Sequence, residues 1–103
     1  MPEPPEYREV VENLLSDPVV SEAQMMGMPS LKFGAKMFGG LFDGRLVVKI
    51  GRERVEQLIA AGHAEPFDPS GRGRPMKDWA LVSAPAAEWL DLAGEAKAFA
   101  GEG

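Results

Sequence analysis

The most constraining feature of this sequence is the stretch from Met25 to Ile50, in which short apolar runs are separated by glycines. Each run has the length of a β-strand, and apolar runs bounded by Gly, Pro and Asp are typical of sequential antiparallel strands. Asp43-Gly44 is the sharpest break, because this pair readily adopts the positive φ angles of a two-residue hairpin turn. We therefore predict a hairpin of Lys36 to Phe42 with Arg45 to Ile50, within a β-meander.

The other predicted elements lie on both sides of this hairpin. An apolar stripe of Tyr7, Val10, Val11 and Leu14 predicts a helix from about Glu6 to Ser16. The remaining predictions are strands at Glu22 to Met26 and Ser30 to Phe33, a helix over Gly51 to Ala61, an extended segment at Ala64 to Asp68, a strand within Met76 to Ser83 and a helix from Ala86 to Ala100. On the second helix, Val55, Leu58 and Ile59 form the apolar stripe, and Arg52 and Glu56 are exposed i, i+4 neighbours. Because the strands form a contiguous run, the order α-β-β-β-β-α-β-β-α predicts an α+β fold. We expect two layers, a mainly antiparallel sheet of about five strands and three packed helices.

Length and composition favour one domain over residues 1–103, with frayed ends at 1–5 and 101–103. The chain has no cysteine, which excludes disulfides and thiolate metal sites. The proline-rich, acidic start does not resemble a secretion signal, and no apolar run is long enough for a membrane span. We therefore expect a cytoplasmic protein that does not associate with membranes.

The charge is distributed unevenly around a net value of -5. Residues 1–31 carry six acids and one base, residues 32–77 carry nine bases and five acids, and residues 78–103 carry five acids and one base. The net charge disfavours binding to a phosphate backbone. A locally basic middle between acidic ends favours contacts within the fold, self-association or a protein partner.

No catalytic motif is found in the sequence. Phosphate-binding glycine loops, a nucleophile elbow and a zinc-protease helix are all missing. His63, the only histidine, has no nucleophile or carboxylate in a motif around it, and it follows a helix end, where histidines commonly interact with terminal carbonyls. The methionines near Met25 are typical of adaptable core filling. We predict no enzymatic activity, no cofactor and no metal.

One short basic motif stands out as a candidate binding segment. Arg72-Gly73-Arg74-Pro75 resembles the AT-hook core, a doubly basic peptide that enters the A·T minor groove. Its flanks are not the basic, disordered tail typical of such hooks, so the alternative is a turn that leads into the last strand. The candidate binding residues are Arg72, Arg74, Lys77 and Trp79. A nucleic-acid surface would add Lys32, Lys36 and Lys49.

Two blocks of the sequence resemble a known family. The first comprises Met25 to Gly27, Phe33 to Phe38 and Asp43 to Gly51, and the second is Gly73 to Trp79, which reads GRPMKDW. Both resemble the TfoX N-terminal domain of the TfoX/Sxy family, and the second matches a segment of its short stand-alone members. The resemblance covers most of the chain, from about Tyr7 to Phe99.

This resemblance implies a compact α+β domain with no established enzymatic activity. Longer members of the family carry a C-terminal helical domain and regulate natural competence together with a Crp-type transcription factor. Since the chain ends at Gly103, we do not expect that competence role here. The family positions are Arg74, Pro75, Met76, Lys77 and Trp79, with a structural role as the default.

We therefore expect a non-enzymatic regulatory domain that acts through protein contacts, with a protein partner or as a homodimer. The alternative is a nucleic-acid-binding regulator that uses the basic loop from Arg72 to Lys77. A second alternative is an enzyme or small-ligand binder that uses His63 and the arginines around a cleft.

Overall fold

The computed structural model describes residues 4–25, 27–68, 73 and 76–102. Their helices are α1 (Pro5–Leu14), α2 (Arg52–Ala60) and α3 (Trp89–Glu102), and a 3-10 turn at Ala86–Glu88 precedes α3. Their strands are β1 (Val20–Met25), β2 (Met28–Phe33), β3 (Lys36–Phe42), β4 (Arg45–Lys49), β5 (Ala64–Pro66) and β6 (Trp79–Val82). The helices reach Pro5 and Glu102, where the sequence predicts frayed ends.

The six strands of the described residues form one sheet in the order β1-β2-β3-β4-β6-β5. Every neighbouring pair is antiparallel. The predicted α+β class and the order of elements are therefore confirmed, with six strands where about five were expected.

The β3–β4 hairpin closes through the predicted turn. Asp43 has φ 53° and Gly44 has φ 77°, the positive pair that an Asp-Gly turn supplies. The β1–β2 hairpin differs from prediction, because β2 begins at Met28 and includes Pro29, where the sequence predicts a break. Pairing of β2 with β3 starts only at Ser30 and Gly40, so no hydrogen bond in that ladder needs the N–H that Pro29 lacks.

All three helices contribute to the core on one face of the sheet, the helix-covered face. The predicted stripe of α1 is buried there together with side chains of α2 and α3. Phe38 and Leu41 both belong to this core, although strict alternation would place residues three apart on opposite faces. A register shift opposite Leu31 and Lys32 adds one residue to β3 and brings both side chains to the helix-covered face.

The second face of the sheet carries a separate apolar cluster that the sequence analysis did not predict. Its buried members are Met28, Val47, Phe67 and Trp79. Phe67 follows β5 and has no exposed surface. Its ring lies 5.3 Å from that of Phe42, edge to face, and 6.1 Å from that of Trp79. Residues beyond β5 therefore fold back over the second face.

The link between α1 and β1 is held by the carboxylate of Asp17. It accepts the Val19 N–H at 3.0 Å and contacts Lys97 Nζ of α3 at 2.9 Å. The backbone hydrogen bond from Val19, followed by the bond from Lys97, lowers the pKa of Asp17 below its ordinary value. This carboxylate therefore stabilises the fold at neutral pH, and the contribution is lost as pH falls through the depressed pKa.

We expect Asp17→Asn to make the unfolding free energy less dependent on pH in the acidic range. The wild type should lose more unfolding free energy than the variant as pH falls below about 4, because only the wild type has the ionised carboxylate to lose. Urea unfolding at a series of pH values measures this difference. Glu12→Gln, at an exposed position on α1, is the control and should keep the wild-type slope; equal slopes for all three proteins would contradict the assignment.

Candidate functional site

The structure describes two of the four predicted binding residues. Arg72 and Arg74 lie outside the described residues, so the proposed AT-hook-like segment is not placed. Lys77 and Trp79 are described, and both line a pocket at the β5 edge of the sheet. There, α2 approaches β5 and the segment that leads into β6.

The main role of Trp79 in this domain is structural. Its side chain is buried in the second-face cluster beside Phe67. Trp79 also pairs with Lys49 of β4, and its N–H donates to the Met76 carbonyl at 3.0 Å. The tryptophan of the GRPMKDW segment therefore fixes the start of β6 and contributes one wall of the pocket.

The pocket, called the α2–β6 pocket below, is mainly apolar. It has a volume of about 180 Å³. Its apolar lining comes from Val55, Ile59, Pro66, Met76 and Trp79. A pocket of this size and lining can receive one aliphatic or aromatic side chain of a ligand, but it is small for a whole drug-sized molecule.

Three charged side chains complete the lining of this pocket. Arg52 Nε lies 3.3 Å from Glu56 Oε2, the i,i+4 pair expected from the sequence, so these two charges compensate each other. Lys77 has no ion pair with any acidic side chain of the described residues. In the described part of its lining, the pocket thus combines an apolar floor with one uncompensated positive charge, an arrangement suited to binding an apolar group next to a carboxylate.

Ile59 is the pocket residue that sequence reasoning placed wrongly. The helical stripe put Val55, Leu58 and Ile59 together in the core, but only Val55 and Leu58 are buried, whereas Ile59 is 36% exposed. Ile59 lies at the margin of the stripe and faces the pocket. The position of Ile59 at the edge of the helical stripe was the one signal in the sequence for its exposure. The pocket itself could not be identified from this signal, because Pro66 and Met76 also line it and are distant from Ile59 in sequence.

The basic residues of the described chain separate into two groups. The four described arginines and Lys97 all form ion pairs: Arg8 with Glu22, Arg45 with Glu65, Arg52 with Glu56, Arg54 with Glu95, and Lys97 with Asp17. Lys32, Lys36, Lys49 and Lys77 have no such pair among the described residues. Lys32, Lys36 and Lys49 lie on neighbouring antiparallel strands and Lys77 directly precedes β6, so all four lysines lie at the same end of the sheet.

Two of these lysines also line a second pocket of about 350 Å³ beside the end of α3. Lys36 and Lys49 face Phe99, Ala100 and Glu102 there. Positive side chains at a helix C-terminus are favourable because they complement the negative end of the helix dipole. This arrangement accounts for Lys36 and Lys49 within the fold itself, and Glu102 offsets part of their charge.

His63 serves mainly as a backbone junction. Its N–H donates to the Leu58 carbonyl at 2.9 Å, and its own carbonyl accepts hydrogen bonds from the N–H groups of Ser83 and Ala84. Its exposed imidazole has Nδ1 3.9 Å from a carboxylate oxygen of Glu88. The imidazole does not line the α2–β6 pocket, so the cleft of His63 with the arginines that the second alternative requires is not formed there.

Metal centres and membrane spans were also sought in the described ranges. No group of three or more His, Cys, Asp or Glu residues there could hold a metal ion. None of the helices in this part of the chain is both long and apolar enough to cross a membrane.

An antiparallel sheet covered on one face by three helices, with an apolar pocket at its β5 edge, defines a small two-layer α+β domain. The family profile of the TfoX N-terminal domain matches residues 12–96, a range that includes every strand, α2 and the pocket. This chain belongs to the TfoX N-terminal domain family. Comparisons with curated proteins and with solved structures gave no significant match.

Proposed function

We propose that this chain is a non-enzymatic regulatory domain that acts by binding a partner protein at the α2–β6 pocket. The observation that carries the proposal is the combination of an apolar, open pocket with the uncompensated charge of Lys77 on its lining. The partner segment would insert one large apolar side chain and place a carboxylate near Lys77.

Energetic considerations favour a binding role for this pocket over a catalytic one. An apolar anchor in a pocket supplies most of the affinity in many protein interfaces, and a flanking charge supplies orientation. Glu56 is the one carboxylate among the described lining residues, and its contact with Arg52 occupies it. Among the described residues, the lining offers no histidine, serine or threonine as a further reacting group.

Selection of random displayed peptides on the purified protein tests this proposal, because such a selection does not require the partner to be identified. We expect enriched peptides to share an apolar residue within a few positions of Asp or Glu. Ile59→Glu should reduce their affinity at least about tenfold, because it removes an apolar contact and adds a repelling charge. Fluorescence anisotropy of a labelled peptide measures the change.

Matched variants separate the pocket from general surface effects. Leu90→Glu makes a similar change at a residue that is 39% exposed on α3, compared with 36% for Ile59, and should leave affinity unchanged. Lys77→Glu should weaken binding, whereas Lys32→Glu should not. If no common sequence is enriched, or if Ile59→Glu binds as well as the wild type, the pocket is not the site.

DNA binding by the same purified protein tests the nucleic-acid alternative. A labelled DNA duplex should not bind at about 50 mM salt, where phosphate contacts are strong. Binding that weakens steeply toward about 200 mM salt, and is lost when Lys32 and Lys49 are replaced by glutamate, would instead favour a nucleic-acid interface at the lysine-rich end of the sheet.

A further inference from the structure

β1 lies at one edge of the sheet and has no strand on its outer side among the described residues. Its pairing with β2 is regular from the Val20–Phe33 pair to the Met25–Met28 pair, without a bulge. The six residues of β1 include no proline and a single charged residue, Glu22. Edge strands that are protected against pairing with another chain are usually short, bulged, charged or interrupted by proline, so β1 lacks most of these protections.

The opposite edge of the sheet shows the contrast. β5 has three residues and ends in Pro66. Glu65 of β5 is held by Arg45 at 2.8 Å, and α2 packs next to the strand. The β5 edge is therefore protected by its short length, by proline and by α2. Glu22 of β1 is likewise held by an arginine, Arg8 of α1 at 3.1 Å, but β1 is twice as long as β5 and has no proline.

The outward-facing backbone groups of β1 follow from the alternation of antiparallel pairs. Gln24 lies opposite Pro29, which has no N–H, so this pair cannot exchange two hydrogen bonds. Alternate residues then bond to β2, and the N–H and C=O groups of Val20, Glu22 and Gln24 face outward. The Asp17 carbonyl accepts the Val20 N–H at 3.0 Å. In the described part of the chain, no strand pairs with the outward groups of Glu22 and Gln24.

We propose that β1 pairs with β1 of a second copy of this chain, antiparallel and about a two-fold axis at Ala23. The two sheets then become one continuous sheet in a symmetric dimer. This surface lies at the edge opposite the α2–β6 pocket, so the pocket of each copy stays accessible in the dimer. The proposal therefore goes beyond the proposed function.

Hydrogen bonding and charge together select this register. With the axis at Ala23, Glu22 of each copy lies opposite Gln24 of the other, and each pair exchanges two backbone hydrogen bonds. The Gln24 side-chain amide then faces the Glu22 carboxylate. With the axis at Glu22, two like charges would be directly opposite and the register would need the Val20 N–H that Asp17 already holds.

Disulfide cross-linking tests the position of the axis. Ala23 would face Ala23 of the other copy in a non-hydrogen-bonded pair with Cα atoms about 4.5 Å apart, a separation compatible with a disulfide. The natural chain has no cysteine, so Ala23→Cys introduces a single thiol. We expect Ala23→Cys to form a covalent dimer at least about tenfold faster than Glu53→Cys, which is exposed on α2. Equal rates would overturn the proposal.

Sedimentation equilibrium of residue-24 variants tests the register independently. Gln24→Lys should tighten the dimer and Gln24→Glu should weaken it, each about threefold to tenfold, because residue 24 faces Glu22 of the other copy. Gln24→Pro should give a monomer, since it removes an outward N–H and spares the bonds to β2, whereas Gln24→Thr should remain dimeric. A wild type that stays monomeric up to about 1 mM, or charge variants without opposite effects, would refute the pairing.

Discussion

Phe67→Ala is expected to lower the unfolding free energy by about 3–5 kcal/mol, the largest stability loss among the substitutions considered for this chain. Phe67 is fully buried between Phe42 and Trp79 on the second face of the sheet. Truncation removes both ring contacts and leaves a cavity next to Val47, which is itself fully buried. Because Trp79 forms one wall of the α2–β6 pocket, the loss also loosens the pocket.

Chemical denaturation with urea measures this change, and Phe99→Ala is its control. Phe99 is 37% exposed, so the same truncation there should cost about 1 kcal/mol or less. Similar losses for the two variants would mean that Phe67 does not hold the second-face cluster together.

Gly40→Ala is expected to cost at least about 2 kcal/mol, in the upper part of the range for overpacked sites. A Cβ atom at Gly40 would lie 2.7 Å from the Pro29 carbonyl oxygen and 3.3 Å from Ser30 Oγ. The carbonyl belongs to the backbone of β2, so it cannot move away without disturbing the pairing of β2 with its neighbours. Close approach of the two strands, rather than an unusual φ angle, therefore requires glycine here.

Gly94→Ala provides the matched control within α3. Apart from its chain neighbours and the nearby backbone of its own helix, a Cβ atom at Gly94 would meet no atom within 4 Å, and alanine favours the helix over glycine. Thermal unfolding should therefore show a higher melting temperature for Gly94→Ala, by about 2–8 °C, and a clear decrease for Gly40→Ala. A neutral Gly40→Ala would show that the two strands are not packed this closely.

Local patterns predicted the parts of the fold that depend on neighbouring residues. The Asp43-Gly44 turn is formed by the conformations of these two residues alone, so the sequence identified it. The α1 stripe was likewise predictable, because helical periodicity places Tyr7 and Val11 on one face and both are buried.

The second-face cluster and the pocket could not be predicted in this way. Both depend on segments that are distant in sequence: the ring of Phe67 contacts that of Phe42, and Ile59 and Met76 line the same pocket. Periodicity identifies the apolar side of one element, but it does not indicate which loop will cover the other side of a sheet. The GRPMKDW segment gave the useful signal, because its Met76, Lys77 and Trp79 all line the pocket.

The two edges of the sheet differ in what they expose. The β5 edge and the β1 edge of one sheet offer two different kinds of contact, a pocket for a side chain and a row of backbone groups. A dimer formed through β1 would present two α2–β6 pockets and could bind a bivalent partner more tightly than a single domain.

Amide NMR mapping of a selected peptide is the most direct test of the α2–β6 pocket as the binding site. During titration of the peptide into the labelled protein, we predict chemical-shift changes at Ile59, Lys77 and the Trp79 indole, with little change at β1 or at Lys32. Changes concentrated on β1, or at Lys32, Lys36 and Lys49 without Ile59, would contradict the account.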